Sequence, residues 1–200
     1  MKKEAAETLH AQIHQFVHTR FRRRTVREFE EILVSEFVSV TGGILAGALL
    51  AVYLDKIALV PGIMILLPGF LEMRGNIAGS LAARISAALH LKLIDQNGNP
   101  RIVRANNLAA FALSIVVSAI LGLVAYAGSW LFFKVHAPKI ILIAVLASVI
   151  SNVILVPLTT RTTIWLFRHK LDPDNIMGPY ITTVGDIVSV ISLIIAITVV

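Results

Sequence analysis

Cysteine is absent from the 200-residue sequence, which excludes disulfides and thiolate metal sites. Charged residues are scarce as well: they make up 15% of the chain, whereas a soluble domain has about 25%. The first thirty residues lack the continuous apolar core of a secretory signal peptide. Hydrophobic residues reach 56%, and the mean hydropathy is +0.81. Together these values indicate an integral membrane protein.

Five stretches are long and apolar enough to cross a bilayer, which takes about 20 mostly apolar residues. They cover residues 33–54, 57–93, 107–133, 138–167 and 176–200. The second is too long for one straight span, and Pro68 and Gly69 predict a helix break within it. The sequence therefore predicts an all-α, polytopic membrane protein. Residues 33–200 would form a membrane domain with five transmembrane helices, preceded by an arm of residues 1–32.

Lysine and arginine are distributed unequally between the two sides of this topology. One side carries Lys2, Lys3, Arg20, Arg22, Arg23, Arg24, Arg27, Lys92, Arg101, Arg104, Arg168 and Lys170. The other side carries only Lys56, Lys134 and Lys139. Because basic loops stay on the cytoplasmic side, we expect a cytoplasmic N-terminus and an outside C-terminus, in a plasma membrane.

The arm is predicted to form an amphipathic helix, because apolar residues recur among its basic residues at near-helical spacing: Leu9, Ile13, Phe16, Val17 and Phe21. It could lie on the inner membrane face and attract anionic lipid headgroups, or dock on its own membrane domain. His10, His14 and His18 share one face of this helix. They could bind a transition metal or simply form a polar, histidine-rich face.

Polar residues interrupt the second span on one helical face. Glu72, Asn76 and Ser80 follow each other at intervals of four, with Gly75 and Gly79 beside them. An ionisable residue at mid-membrane costs about 2.5–3.5 kcal/mol, so such residues are functional candidates. We expect this face to line a cavity. Arg74 points elsewhere, and we expect it to pair with another helix, with Glu36 as the candidate, or to snorkel outward.

The fifth span carries a second polar face with Thr182, Asp186 and Ser189. Asp186 follows Asn175 by about 16 Å along the helix, which places it near the bilayer centre. No basic residue lies within a helical turn of it, so its charge requires a cation or a proton. Asp172 and Asp174 lie at the inner mouth, where they could concentrate cations or bind a regulatory ion; Asp174 could also be the N-cap.

Two further patterns allow a simpler interpretation. The fourth span carries Ser148, Ser151, Asn152 and Thr159, which serve either helix packing or pore lining. Gly43 and Gly47 form a G-x-x-x-G pair in the first span, which predicts close helix packing.

The types of candidate ligand restrict the ion. Carboxylate, amide, hydroxyl and backbone oxygens suit Mg²⁺, Ca²⁺ or Mn²⁺. Carboxylates are few, and Mg²⁺ keeps several of its waters, so a hydrated Mg²⁺ fits best. An odd number of spans cannot divide into two equal sets, and a parallel homodimer is the simplest way to enclose a pore.

Two segments carry a family resemblance: PGFLEMRGNIAGSLAARIS (68–86) and LDPDNIMGPYITTVGDIVSV (171–190). They resemble the membrane domain of the MgtE and solute carrier family 41 magnesium transporters, over about residues 33–200. The Leu-Glu-Met and Gly-Asn elements are more similar to the solute carrier 41 side. Bacterial MgtE proteins carry a soluble Mg²⁺-sensing region before this domain, whereas about 32 residues precede the first span here, so the mode of gating stays open.

The resemblance implies a homodimer of ten helices that conducts cations. Asp186 matches the family's fifth-helix aspartate, which would hold a hydrated Mg²⁺ on the pore axis. Asn76 matches the second-helix asparagine, and the remaining matches are Glu72, Ser80, Thr182 and Thr183. Whether transport is passive or coupled to Na⁺ or H⁺ stays open.

We therefore expect a homodimeric Mg²⁺ transporter or channel, with membrane lipids but no nucleic acid as partners. The alternative is a non-transporting membrane scaffold or accessory subunit. An intramembrane enzyme is disfavoured, because it would need clustered carboxylates or a nucleophile–base pair that the sequence lacks.

Overall fold

The computed structural model describes residues 2–94 and 100–200, with the side chains of 25, 26, 28–94 and 100–200. The elements are α1 (Lys2–Val52), α2 (Leu54–Ala58), α3 (Ile63–His90), α4 (Pro100–Phe133), α5 (Lys139–Arg168) and α6 (Pro173–Val199). No strand occurs in these ranges, so the all-α prediction is confirmed.

Four helical segments of the described chain are long and apolar enough to cross a membrane. They are Glu28–Val52, Pro100–Phe133, Lys139–Arg168 and Pro173–Val199, which correspond to the first, third, fourth and fifth predicted spans. α3 is 28 residues long, roughly 42 Å, but Glu72, Arg74 and Asn76 make it less apolar than the other four. The fifth crossing, through α3, therefore stays a prediction.

The N-terminal arm continues into the first span without a helix end, because α1 is one helix of 51 residues. The side chains of residues 2–24 lie outside the described part of the chain. They include His10, His14 and His18, so the amphipathic face and the metal site stay predictions. The linker residues 95–99 also lie outside it.

The break in the second apolar stretch lies earlier than predicted. α2 ends at Ala58, and the chain turns through residues 59–62, where Gly62 adopts a left-handed φ of 82°. A Cβ there would lie 3.0 Å from the Ala125 carbonyl oxygen, so only glycine fits both the turn and the space. α3 runs through Pro68 without interruption, so the predicted break at Pro68 and Gly69 is wrong. Pro68 lies in the second turn of α3, where buried neighbours such as Phe70 hold the helix in place.

α3, α4, α5 and α6 form the bundle. α5 packs against the other three, and so does α3. Their largest apolar cluster joins Ile63, Leu66 and Phe70 of α3 to Ile140 and Ala144 of α5, Leu193 of α6 and Ala125 of α4. α1 packs on α6, and its Leu50 contacts the edge of this cluster. The bundle thus fixes α3 and α6, which carry the predicted polar faces, beside each other.

The contact between α1 and α6 depends on small residues, but not on those predicted. Gly42 and Ala46 are buried, and a Cβ at Gly42 would overlap the Thr183 methyl group. Gly43 and Gly47 have open space where a Cβ would be, so they take no part in the α1–α6 contact. The close helix packing predicted for them stays a prediction. Gly43 and Gly47 each follow a buried small residue, Gly42 or Ala46, by one position, so they lie on a different face of α1 from the one that contacts α6.

Polar side chains of α1 lie beside a proline in α6. Pro179 has no N–H to donate to the carbonyl of Asn175, one turn earlier. Ser35 Oγ lies 3.4 Å from that carbonyl oxygen, although its shorter hydrogen bond, at 2.8 Å, is to the Ile32 carbonyl of its own helix. The Asn175 amide donates to Glu31 Oε2 at 3.4 Å. α1 therefore holds the first turns of α6 through polar contacts as well as packing.

Candidate functional site

The polar face of α3 is uncovered in the single chain. Glu72, Asn76 and Ser80 are all exposed, and Asn76 Nδ2 donates a hydrogen bond to Glu72 Oε1 at 3.1 Å. A Cβ built on Gly75 or Gly79 would meet nothing within 4 Å. α4, α5 and α6 cover the other sides of the helix, so this polar face lies open to the surroundings of the bundle.

A contact at the ends of α3 and α6 indicates the register between their polar faces. His90 Nε2, at the end of α3, lies 4.0 Å from Asp172 Oδ1, at the start of α6. The two helices pack together and run in opposite directions from this point. Ser80 and Thr182 then both lie roughly 15 Å along their helices, and Asn76 and Asp186 both lie roughly 21 Å along. The structure therefore places these residues at matching depths.

The two acidic residues of this region belong to different helices. Asp186 is partly buried in α6, and it lies close enough to Glu72 of α3 for their charges to interact. Within the described part of the chain, neither carboxylate forms an ion pair with lysine or arginine. Two carboxylates at the α3–α6 contact that have no basic partner among the described side chains attract cations.

The remaining predicted residues of α6 have different surroundings. Thr182 is exposed, and its hydroxyl donates to the Gly178 carbonyl at 3.1 Å. Thr183 is buried against α1, and its hydroxyl donates to the Pro179 carbonyl at 3.0 Å. Ser189 is fully buried. Of the predicted α6 face, therefore, Thr182 and Asp186 are the accessible members, and ion contact by Thr183 stays a prediction.

The start of α6 brings together three possible metal ligands. The ligand atoms of His90, Asp172 and Asp174 all lie within 4.8 Å of one another. Asp172 is the N-cap, because its Oδ1 accepts the Asp174 backbone N–H at 3.1 Å; the prediction that Asp174 is the cap is therefore wrong. Asp174 is the second residue of the helix, two positions past the cap. Sequence analysis missed His90, since only the packing of α3 on α6 reveals its position.

Arg74 occupies the interior of the bundle. It is 3% exposed, and it donates to Ser114 Oγ of α4 at 2.5 Å and to Asn152 Oδ1 of α5 at 2.7 Å. The prediction that Arg74 pairs with another helix is confirmed, but Glu36 as its partner is wrong, and so is snorkelling. α4 and α5 cover this side of α3, whereas α1 packs on α6.

The polar stripe of α5 lies in the same interior. Its four members are buried: Ser148, Ser151, Asn152 and Thr159. Ser148 hydrogen-bonds Ser114 of α4 at 2.9 Å, and Ser151 donates to the Ala147 carbonyl of its own helix at 2.8 Å. These contacts favour the packing interpretation over pore lining.

A comparison with protein-family models identifies the fold and function class. The model described as "MgtE: Divalent cation transporter" matches residues 67–196, which include most of α3, all of α4 and α5, and most of α6. All the predicted site residues lie in that range. A comparison with curated protein sequences gives no match. The match covers well over half of the chain, and the four long apolar helices agree with a membrane protein. The chain therefore belongs to the MgtE family of divalent cation transporters.

Proposed function

We propose that the chain transports Mg²⁺ as a homodimer and moves a largely hydrated ion past Asp186. One observation carries the proposal. Polar residues of α3 and α6 lie at matching depths; four of them are exposed and the fifth, Asp186, is partly buried: Glu72, Asn76, Ser80, Thr182 and Asp186.

The uncovered face supports a dimer. Polar and charged groups at membrane depth are tolerated where they are buried in protein or face water, not where they face lipid tails. A second copy related by a two-fold axis would cover the face with the same face. It would also bring two Asp186 carboxylates toward one axis and enclose a path between the subunits.

The ligand chemistry supports a hydrated Mg²⁺. The path would hold one amide, two hydroxyls and two carboxylates per chain, all of which offer oxygen ligands. Mg²⁺ prefers oxygen and dehydrates reluctantly. Asp186 would attract the ion, while Asn76, Ser80 and Thr182 would hydrogen-bond its water shell. Glu72 would add charge and orient Asn76 through their hydrogen bond.

Acidic residues at the start of α6 support access of the ion from the cytoplasmic side. Asp172 and Asp174 lie at the end of the bundle that carries the basic linkers, which the positive-inside rule assigns to the cytoplasm. They would raise the local cation concentration, and His90 would add a nitrogen ligand to any ion held there.

Uptake into proteoliposomes tests the proposal. We expect Mg²⁺ uptake by the wild type, and loss of most of it in Asp186→Asn, because the substitution removes the central charge but keeps the side-chain volume. Asp55→Asn is the matched control, since Asp55 is exposed on the short helix α2, away from the path. Normal uptake by a folded, dimeric Asp186→Asn protein would contradict the role of Asp186.

Two further readouts separate the alternatives. A Na⁺ gradient that accelerates uptake would indicate a coupled carrier, and its lack of effect would indicate a channel or a passive carrier. Absence of uptake in a folded wild-type dimer would favour the scaffold interpretation or another ion.

A further inference from the structure

An open cavity lies on the outer side of α5, near the end that carries the basic linkers. It has a volume of about 410 Å³ and is lined by Arg161, Thr162, Ile164, Trp165 and Arg168. Arg161, Trp165 and Arg168 follow at intervals of four and three, so they share one helical face. Two guanidinium groups therefore flank an indole ring in one concave site, away from the polar faces of α3 and α6.

The depth of this cavity matches the headgroup region of a bilayer. α5 has 30 residues and is roughly 45 Å long, which equals the thickness of a bilayer with its headgroups. Arg161 lies about 10 Å from the end of α5, near the boundary with the hydrocarbon core. Trp165 lies about 6 Å closer to the end, at the depth where tryptophan is enriched.

Contacts with neighbouring residues order the cavity. The Trp165 ring lies 4.3 Å from the His169 ring, whose Nδ1 is 2.8 Å from the Trp165 carbonyl oxygen. The Thr162 hydroxyl donates to the Tyr180 hydroxyl of α6 at 3.4 Å. The indole and the floor of the cavity are therefore held in place before any ligand binds, which lowers the entropic cost of binding.

Arg161 needs an anion that the described chain does not provide. It is exposed, and no carboxylate among the described side chains forms an ion pair with it. An arginine at the edge of the hydrocarbon core is costly unless it pairs or reaches the headgroups. Its planar guanidinium binds phosphate through two parallel hydrogen bonds, and an adjacent tryptophan suits the interface.

We propose that this cavity binds the phosphate group of an anionic phospholipid in the leaflet at the basic end of the bundle. Arg161 would bind the phosphate and Arg168 would add positive charge beside it. Thr162 could donate its hydroxyl hydrogen to the phosphate in place of its 3.4 Å bond to Tyr180, and Trp165 and Ile164 would contact the glycerol and the upper acyl chains. This site does not depend on the proposed ion path, and its occupancy can be measured without transport.

Lipid retention by the full-length protein tests the proposal. The protein would be purified in detergent and mixed with phosphatidylglycerol or phosphatidylcholine, with native mass spectrometry counting bound lipids and a thermal melt reporting stabilisation. We expect one phosphatidylglycerol per chain to be retained preferentially and to raise the melting temperature. Arg161→Gln should weaken its binding by about tenfold, as expected for loss of a charged hydrogen-bonding group.

Matched variants separate a specific site from diffuse charge. Lys92→Gln removes the same charge from an exposed residue at the same end of the bundle, outside the cavity, and should retain phosphatidylglycerol. Arg161→Lys should bind with intermediate affinity, because lysine cannot form the two parallel bonds. It also provides a folded test if Arg161→Gln does not fold.

Several outcomes would overturn the proposal. Equal losses in Arg161→Gln and Lys92→Gln would show that only diffuse charge attracts the lipid. Equal stabilisation by phosphatidylcholine would show that the acyl chains suffice. Equal stabilisation by inorganic phosphate would assign the site to a soluble anion.

Discussion

Replacing Asn152 by leucine would leave the buried Arg74 without its acceptor on α5. Arg74 and Asn152 are 3% and 2% exposed, and 2.7 Å separates the guanidinium Nη1 from Asn152 Oδ1. Hydrogen bonds between neutral groups of membrane helices average about 0.6 kcal/mol, whereas bonds to charged groups contribute about 1.5–3 kcal/mol. Arginine stays charged and only Ser114 would remain as its partner, so we expect a loss of about 2 kcal/mol.

Replacing Arg74 instead of Asn152 should lower the free energy of unfolding by less. Arg74→Met removes the charge itself and leaves two neutral polar groups, Asn152 and Ser114. Replacing a buried charge by an apolar side chain of similar volume is often close to neutral. Arg74→Met combined with Asn152→Leu should therefore be more stable than Asn152→Leu alone, and the two substitutions should be coupled by about 1.5–3 kcal/mol.

Reversible unfolding in mixed micelles of a mild detergent and dodecyl sulfate would measure these four stabilities. Ser151→Ala is the control, because its hydroxyl bonds carbonyls of its own helix and no side chain of another helix. It should cost much less than Asn152→Leu. Additive effects of the Arg74 and Asn152 substitutions, with no coupling, would refute the reasoning that a buried charge depends on this acceptor.

Two other contacts give predictions of their own. Gly42→Ala places a methyl group against the Thr183 side chain, 3.2 Å from its Cβ, and should lower the stability by about 1–3 kcal/mol in the same unfolding assay. Gly43→Ala has open space around the new methyl group and should be neutral or slightly stabilising. Equal effects of the two substitutions would contradict the assigned register of α1. Asp172→Ala removes the N-cap of α6 and should cost about 1 kcal/mol, more than Asp174→Ala, and the reverse order would contradict the capping assignment.

Features that follow from apolar length, helical spacing or family motifs were predicted correctly. The long apolar runs gave four of the spans, because the length of an apolar helix is set by the thickness of the bilayer. The spacing of Glu72, Asn76 and Ser80 predicted a shared face, because helical geometry is local. The segments 68–86 and 171–190 indicated the MgtE family, which the comparison with family models confirmed.

The features that depend on a neighbouring helix were missed or misplaced. Gly42 and Gly43 are equivalent in the sequence, and only the position of α6 decides which one is buried. Arg74 had several possible partners until α4 and α5 were seen to cover its side of α3. His90 and Asp172 are far apart in the chain, and their contact exists only because α3 and α6 run side by side.

The sequence by itself determined that the chain is helical and rich in membrane-spanning segments, and which side chains share a helical face, since these follow from local geometry and apolar length. The exact bounds of the helices were not determined in this way, because the predicted break at Pro68 and Gly69 does not occur. Only the tertiary structure decided which faces are covered. Whether a helix face is covered depends on both helices at the contact. Small residues allow the two helices to approach closely, and buried polar groups require hydrogen-bond partners on the neighbouring helix. That arrangement left the polar face of α3 and Thr182 of α6 exposed, with Asp186 partly buried at the depth of Asn76.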